Sequence, residues 1–143
     1  MRTFWAVIVV VGVAAAAGAV LAARADKGDN KVDTRFFELR TYHVAPGKME
    51  ALQARFRDHT NKLFAKHGMT IIGFWTPDKP DDADKKLIYI LAYPSKEARE
   101  KSWKEFRADP DWQEAKKASE QDGPLVEKVE EVYLNPTDFS PIK

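Results

Sequence analysis

The sequence predicts an α+β fold of the ferredoxin-like type, β-α-β-β-α-β, with a four-stranded antiparallel sheet packed on helices. Short runs rich in β-branched and aromatic residues alternate with segments in which apolar residues recur every three to four positions. The strand-like runs at 69–76 and 86–93 are also apolar on both faces, although the helices can cover only one face of the sheet. A second copy of the sheet would cover the other face, so we expect a two-fold homodimer with a barrel-like interior.

The first strand is predicted from Phe36 to Val44, where β-branched and aromatic residues are frequent, and Pro46-Gly47 ends it. An amphipathic helix is predicted to follow. One stripe of this helix, at spacings of three and four, is formed by Met49, Leu52, Phe56, His59 and Leu63. Gly68 suits the left-handed backbone conformation that closes a helix, so we expect the helix to end just before it.

An antiparallel hairpin is predicted next. Met69 to Thr76 and Lys86 to Tyr93 form its strands, and the Asp- and Pro-rich segment from Pro77 to Lys85 forms its loop. Strict alternation places one set of side chains together on one face of the second strand: Ile71, Gly73 and Trp75. We expect Ile72 and Leu91 on the face of the sheet that the helices leave open.

The second helical segment is predicted in two parts. Ser95 is a candidate N-cap for the first part, and Asp109 is the N-cap candidate at which the helix restarts. Pro110 follows at the first helical position, which proline tolerates because its missing N–H has no intrahelical partner there. Gly123-Pro124 ends this segment, and Leu125 to Leu134 is the fourth strand.

The first 25 residues predict export. An apolar run from Phe4 to Ala23 ends in Ala23-Arg24-Ala25, which matches the A-x-A cleavage site of a secretory signal peptide. Residues 26–34 are polar and aperiodic, as in a flexible linker, so the folded domain is expected to occupy residues 35–143. We therefore expect a periplasmic or secreted protein. Because an apolar run of about 20 residues can cross a bilayer, a retained membrane anchor is the alternative.

The composition excludes several classes of function. The 23 Lys and Arg residues nearly balance the 22 Asp and Glu residues, which gives no electrostatic basis for binding nucleic acid. The absence of cysteine excludes disulfides, thiol nucleophiles and thiolate metal sites. The loop from Pro77 to Lys85 is acidic but lacks the Gly and Glu of an EF-hand, so no metal site is predicted.

Several separated blocks of the sequence carry a resemblance to one family. In order they are Phe36 to Lys48, Lys66-His67-Gly68, Gly73-Phe74-Trp75-Thr76, Tyr89 to Pro94, Phe106 to Trp112 and Asn135 to Phe139. Together they resemble the NIPSNAP family of dimeric α/β-barrel proteins over residues 35–143. The resemblance implies the ferredoxin-like fold and a homodimer. It implies no reaction, because the family has no well-established chemistry.

Four polar residues are candidates for a ligand site. His59 lies on the predicted helical stripe, where it would either bond to Tyr42 or Glu38 across the helix-sheet interface or face a ligand. Glu38, Arg40 and Tyr42 share one face of the first strand. On a covered face the carboxylate and guanidinium are expected to pair, or to anchor an acidic or carbonyl-bearing ligand.

Aromatic residues are dense for so small a domain. They comprise Trp75, Tyr89, Tyr93, Trp103, Phe106 and Trp112. Most are expected in the core, but Trp75, Tyr89 and Trp103 are candidates for the wall of a pocket for a small hydrophobic or aromatic ligand.

Two classes of function follow from these observations. The first is an exported homodimeric binding module for a small molecule or a protein. The alternative is a small monooxygenase, of the antibiotic-biosynthesis type or haem-dependent, because the superfamily implied by the resemblance contains such enzymes. No cofactor is predicted. Haem stays an alternative through His59 and Trp75, although the first strand lacks the Asn that the haem-degrading members use.

Overall fold

The computed structural model describes residues 35–143. The predicted signal peptide at 1–25, its alternative as a membrane anchor and the predicted linker at 26–34 lie outside the described residues. The elements are β1 (Phe36–Val44), α1 (Met49–Arg55), a π-helical turn (Phe56–Thr60), α2 (Asn61–Lys66), β2 (Thr70–Trp75), β3 (Lys86–Tyr93), α3 (Lys96–Ala108), α4 (Pro110–Ser119) and β4 (Val126–Leu134). Within these described elements, no helix has the length and apolar character needed to cross a membrane.

The sheet has the predicted ferredoxin-like topology. Its strand order is β2-β3-β1-β4, and every neighbouring pair is antiparallel. The register places Glu38 of β1 between Leu91 of β3 and Tyr133 of β4. Paired residues point to the same face of a sheet, so these three side chains lie on the face that carries the helices.

The first helical segment contains a π-helical turn that the sequence did not predict. The N–H of Asn61 bonds to the carbonyl of Phe56, five residues back, whereas an α-helix bonds to the fourth. The extra residue rotates the helix, so Thr60 is buried and His59 is exposed. The prediction that His59 lies on the buried stripe is therefore wrong.

A β-bulge changes the alternation of β2. Ile71 pairs with Leu91 and Gly73 pairs with Ile90, which leaves Ile72 as an extra residue. Ile71 therefore packs against the core, as Phe74 does, instead of sharing a face with Gly73 and Trp75 as strict alternation predicted.

The core lies between the helices and one face of the sheet. It consists of Val44, Leu52, Phe56, Leu63, Phe64, Met69, Leu87, Tyr89, Leu91, Tyr93, Trp103, Phe106 and Leu125. Leu91 is fully buried there and does not lie on the open face as predicted. On the opposite face, Leu39 lies between Ile90 and Val132. The segment 135–143 lies against one end of this open face.

Both predicted N-caps are present. The Ser95 hydroxyl accepts a hydrogen bond from the N–H of Ala98 at 3.1 Å, at the start of α3. The Asp109 carboxylate accepts from the N–H of Asp111 at 2.9 Å, and Pro110 begins α4 as expected. These caps fix where α3 and α4 begin, and both helices contribute side chains to the site described next.

Candidate ligand-binding site

A fully buried carboxylate lies at the centre of the helix-facing side of the sheet. Glu38 points from β1 toward α3 and is 0% exposed. It accepts hydrogen bonds from Arg40 Nη1 at 2.7 Å, Arg99 Nη2 at 2.6 Å, Tyr93 Oη at 2.8 Å and Trp103 Nε1 at 2.9 Å. The predicted pairing of Glu38 with Arg40 is thus present, and donors from β3 and α3 complete the site around the acid.

A second carboxylate balances the charge of this cluster. Glu131 of β4 accepts from Arg40 Nη1 at 2.6 Å and from Arg99 Nη2 at 3.2 Å. Burial raises the pKa of the Glu38 carboxyl, but the hydrogen bonds from Arg99 and Trp103 and the charge of Arg40 outweigh it, and the pKa lies below its ordinary value. Glu38 is therefore ionised and is hydrogen-bonded to side chains of the protein.

A cavity of about 190 Å³ lies beside this cluster, between the helices and the sheet. We call it the helix-sheet cavity. It is lined by Arg40, Tyr42, Arg55, Phe56, Thr60, Phe64, Trp103, Phe106, Arg107, Trp112 and Lys116. The cavity therefore combines aromatic walls with several cationic side chains.

Arg40 forms part of the cavity wall from the side of the sheet. Its guanidinium carbon lies 4.3 Å from the ring centroid of Trp103 and 5.7 Å from that of Tyr42. Nη1 is bound by the two carboxylates, but the buried Nε has no hydrogen-bond partner within residues 35–143.

Arg55, at the end of α1, carries a second buried guanidinium, which was not among the predicted site residues. Its Nη1 donates to Glu120 at 2.8 Å and to Ser119 at 3.2 Å, and its guanidinium carbon lies 5.1 Å from the Trp112 ring centroid. Its Nε is also buried and unpartnered in the part of the chain that the structure describes. The sequence does indicate this burial, because Arg55 lies three residues after Leu52 and so falls on the buried side of the helix.

The structure brings together five of the seven predicted site residues. Arg40, Tyr42 and Trp103 line the cavity, and Glu38 bonds to two of these three. Tyr89 lies behind the wall, with its ring 5.2 Å from that of Tyr42, and burial raises the pKa of its hydroxyl well above the ordinary value.

The other two predicted residues lie elsewhere. His59 lines a separate outer groove between the first helical segment and α4. Trp75, 49% exposed at the end of β2, lines another pocket. Among the described residues, no histidine lines the helix-sheet cavity. The residues named for haem therefore do not meet there, and the cavity offers no imidazole ligand to a haem iron.

The helix-sheet cavity adjoins an outer groove between α4 and β4. The two spaces share Tyr42, Arg55, Trp112 and Lys116. The groove also contacts Glu120 and Lys128, and its volume is about 290 Å³. A small molecule could thus reach the cavity along α4, past the rim formed by Trp112 and Lys116.

Fold and site together define a ferredoxin-like α+β domain with an aromatic, cation-bearing cavity between its helices and its sheet. Residues 37–141 match the family model described as NIPSNAP. Because the match covers most of the chain, this protein belongs to the NIPSNAP family.

Solved structures agree with this assignment at the level of the fold. A NIPSNAP family protein from Agrobacterium tumefaciens is 26% identical, with 76% of this chain and 99% of that chain covered and a TM-score of 0.66. Another from the same species, with unknown function, is 24% identical over 76% and 94% of the two chains, with a TM-score of 0.65. An uncharacterised NIPSNAP-like domain protein from Burkholderia xenovorans is 22% identical over 75% and 89%, also with a TM-score of 0.65. No functionally curated protein matches the sequence.

Proposed function

We propose that this protein is an exported, homodimeric binding module in which each subunit holds one small molecule in the helix-sheet cavity. The observation that carries the proposal is the cavity itself. Protein interiors are close-packed, and voids larger than a water molecule are few. The space of about 190 Å³ is smaller than the outer grooves of the described domain but more enclosed than they are, and its walls are aromatic rings and buried guanidinium groups.

The open face of the sheet supports the homodimer. Val132 is 49% exposed and Leu134 is 37% exposed on β4, next to Leu39 and Phe37 of β1. A contiguous apolar surface of this kind marks an interaction site. A second copy of the same sheet offers a matching surface, because a two-fold interface pairs one patch with itself.

Export is supported by the leader-like sequence that ends in Ala23-Arg24-Ala25. The test is to determine the N-terminal residue and the location of the full-length chain after expression in an exporting host. We expect a soluble protein that begins at Asp26. A chain that keeps Met1 and sediments with the membrane would favour the anchor instead.

The binding function is tested with phenol as a small neutral aromatic probe. Trp103 and Trp112 line the cavity whereas Trp75 does not, so the indole N–H signals in NMR spectra report where phenol binds. We expect shifts at Trp103 and Trp112. The variant Thr60→Met fills the cavity and should abolish these shifts, whereas Thr70→Met, at an exposed position, should leave them unchanged.

Two results would contradict the binding function. One is a phenol response confined to Trp75, which would place the probe outside the cavity. The other is a response at Trp103 and Trp112 that persists unchanged in Thr60→Met.

A further inference from the structure

We propose that the helix-sheet cavity selects small organic carboxylates, with the acid group bound at Arg55 and the apolar body packed on Trp112 and the neighbouring rings. This inference rests on the proposed binding function and adds the chemical class of the ligand. It is carried by the hydrogen-bonding capacity, the charge and the shape of the described cavity residues.

Unused hydrogen-bond donors point to an acceptor in the cavity. Arg40 and Arg55 are only 7% and 6% exposed, and the Nε atom of each is buried without a partner within residues 35–143. A buried donor that is left unpaired is costly, and nearly all such groups in proteins are satisfied. A ligand oxygen placed against these guanidinium groups would satisfy them, whereas a hydrocarbon would not.

The charge at the Arg55 end favours an anion. Arg40 and Arg99 are matched by two carboxylates, those of Glu38 and Glu131. In contrast, Arg55 and Lys116 share Glu120, at 2.8 Å and 4.0 Å. Glu127 borders only the outer groove. Among the described residues, the cavity itself is lined at this end by Arg55, Arg107 and Lys116 and by no carboxylate. A planar carboxylate can take two parallel hydrogen bonds from a guanidinium.

The walls favour an acid with a flat apolar body. The Trp112 ring centroid lies 4.5 Å from that of Phe106, with the two ring planes tilted by 34°, and 5.1 Å from the guanidinium carbon of Arg55. The cationic group therefore adjoins an aromatic wall. Inorganic phosphate would lose its hydration against these rings and gain no hydrogen bonds from them. An aromatic monocarboxylate matches both the rings and the guanidinium group.

The lysine at the rim extends this site toward solvent. Lys116 is exposed on α4 and borders both the cavity and the outer groove. Its neighbour Lys117 is also exposed but borders neither space. An ammonium group at the entrance attracts an anion before it reaches Arg55, so Lys116 should contribute to affinity and Lys117 should not.

The test compares benzoate, benzamide and benzylamine, which share a ring and differ in charge. Binding to the protein recovered after expression of the full-length chain in an exporting host is measured by calorimetry and by the indole N–H signals of Trp103 and Trp112. We expect benzoate to bind at least about tenfold more tightly than benzamide, because a hydrogen bond to a charged group is the stronger one. Benzylamine should not bind. Inorganic phosphate should bind more weakly than benzoate.

Variants locate the acid group. Arg55→Gln should weaken benzoate binding about tenfold or more and weaken benzamide binding less, because the neutral amide gains less from the guanidinium charge, and Arg55→Lys should restore part of the loss. Lys116→Gln should weaken benzoate binding in the same direction without a risk to folding, since its side chain is exposed. Lys117→Gln is the matched control and should bind like the unmodified protein.

The outcomes separate the inference from the function on which it rests. If benzamide or benzylamine binds as tightly as benzoate, with shifts at Trp103 and Trp112, the cavity binds ligands but the selectivity for carboxylates is wrong. Benzoate affinity that is unchanged in both Arg55→Gln and Lys116→Gln would also overturn the inference. If neither phenol nor any member of the benzoate series shifts these signals, the inference and the binding function both fail.

Discussion

At the residue scale, Glu38 holds the polar centre of the domain together by binding side chains from β1, β3 and α3. The pairing of Glu38 with Arg40 follows from two residues on one face of a strand. The other partners of these two residues are distant in sequence. Arg99, which binds Glu38, is 61 positions away from it, and Glu131, which binds Arg40, is 91 positions away from it. No local pattern relates such residues, because the sheet register and the docking of α3 bring them together.

Replacing the buried acid should be strongly destabilising. Glu38→Gln leaves the positive charges of Arg40 and Arg99 without their buried partner, and breaking a buried ion pair in this way costs about 3–5 kcal/mol. The free energy of unfolding from urea denaturation measures this loss. Glu131→Gln is the matched control on the exposed side of the same cluster, where we expect a loss of about 1 kcal/mol or less. Equal losses in the two variants would contradict the central role of Glu38.

The Glu38 carboxylate should also make the stability of the protein depend on pH. The pKa of Glu38 is below its ordinary value of 4.5 in the folded protein, so its contribution is fully present above that pH and is lost as the pH falls further. Unfolding followed from pH 6 downward should show stability falling below about pH 4.5. In Glu38→Gln this decline should be shallower, and an identical slope in both proteins would show that other carboxylates cause it.

At the element scale, the strands and the helix starts were predictable, but the irregular turns inside the elements were not. β1 and β3 have their predicted bounds, and Asp109 begins α4 as expected. These features depend on neighbouring residues. The π-helical turn and the β-bulge each insert one residue into a regular repeat, and a periodic pattern that ignores them misplaces His59 and Ile71.

Removing the extra residue tests the role of the π-helical turn. Deleting the exposed Asp58 should convert the turn into a regular α-helix. In the shortened helix, Thr60 would lie three positions after Phe56 and Phe64 seven positions after it, so all three side chains would remain on one face. We therefore expect a folded protein with nearly unchanged circular dichroism. Because the deletion shortens the segment between Arg55 and Thr60 by one residue, it shifts these two cavity-lining side chains relative to each other, and benzoate binding should fall. A deletion variant that binds benzoate as before would show that the π-helical turn is not needed for binding.

At the scale of the whole molecule, the ferredoxin-like fold and the family could be predicted from the sequence, because several blocks and the two-sided apolar strands agree on them. That residues 135–143 cover part of the open face could not be predicted from the sequence. There Arg35 Nε donates to the backbone carbonyl of Lys143 at 2.8 Å, a contact between the two ends of the domain that no periodicity encodes.

The homodimer can be tested with two valines of one strand. Val132 and Val129 of β4 are 49% and 39% exposed, but Val132 pairs with Leu39 on the open face and Val129 pairs with Tyr42 on the helix face. Val132→Asp should give a monomer in sedimentation velocity experiments, because it buries a carboxylate in the interface. Val129→Asp should stay dimeric. If both variants dissociate, or neither does, the open face is not the interface.

The most direct test of the binding site is a crystal structure of the protein grown with benzoate. We expect one benzoate in the helix-sheet cavity of each subunit, with its carboxylate within hydrogen-bond distance of Arg55 and its ring against Trp112. The two subunits should face each other through their open sheet faces. Benzoate bound only outside the cavity, or a cavity closed by repacked side chains, would contradict this account.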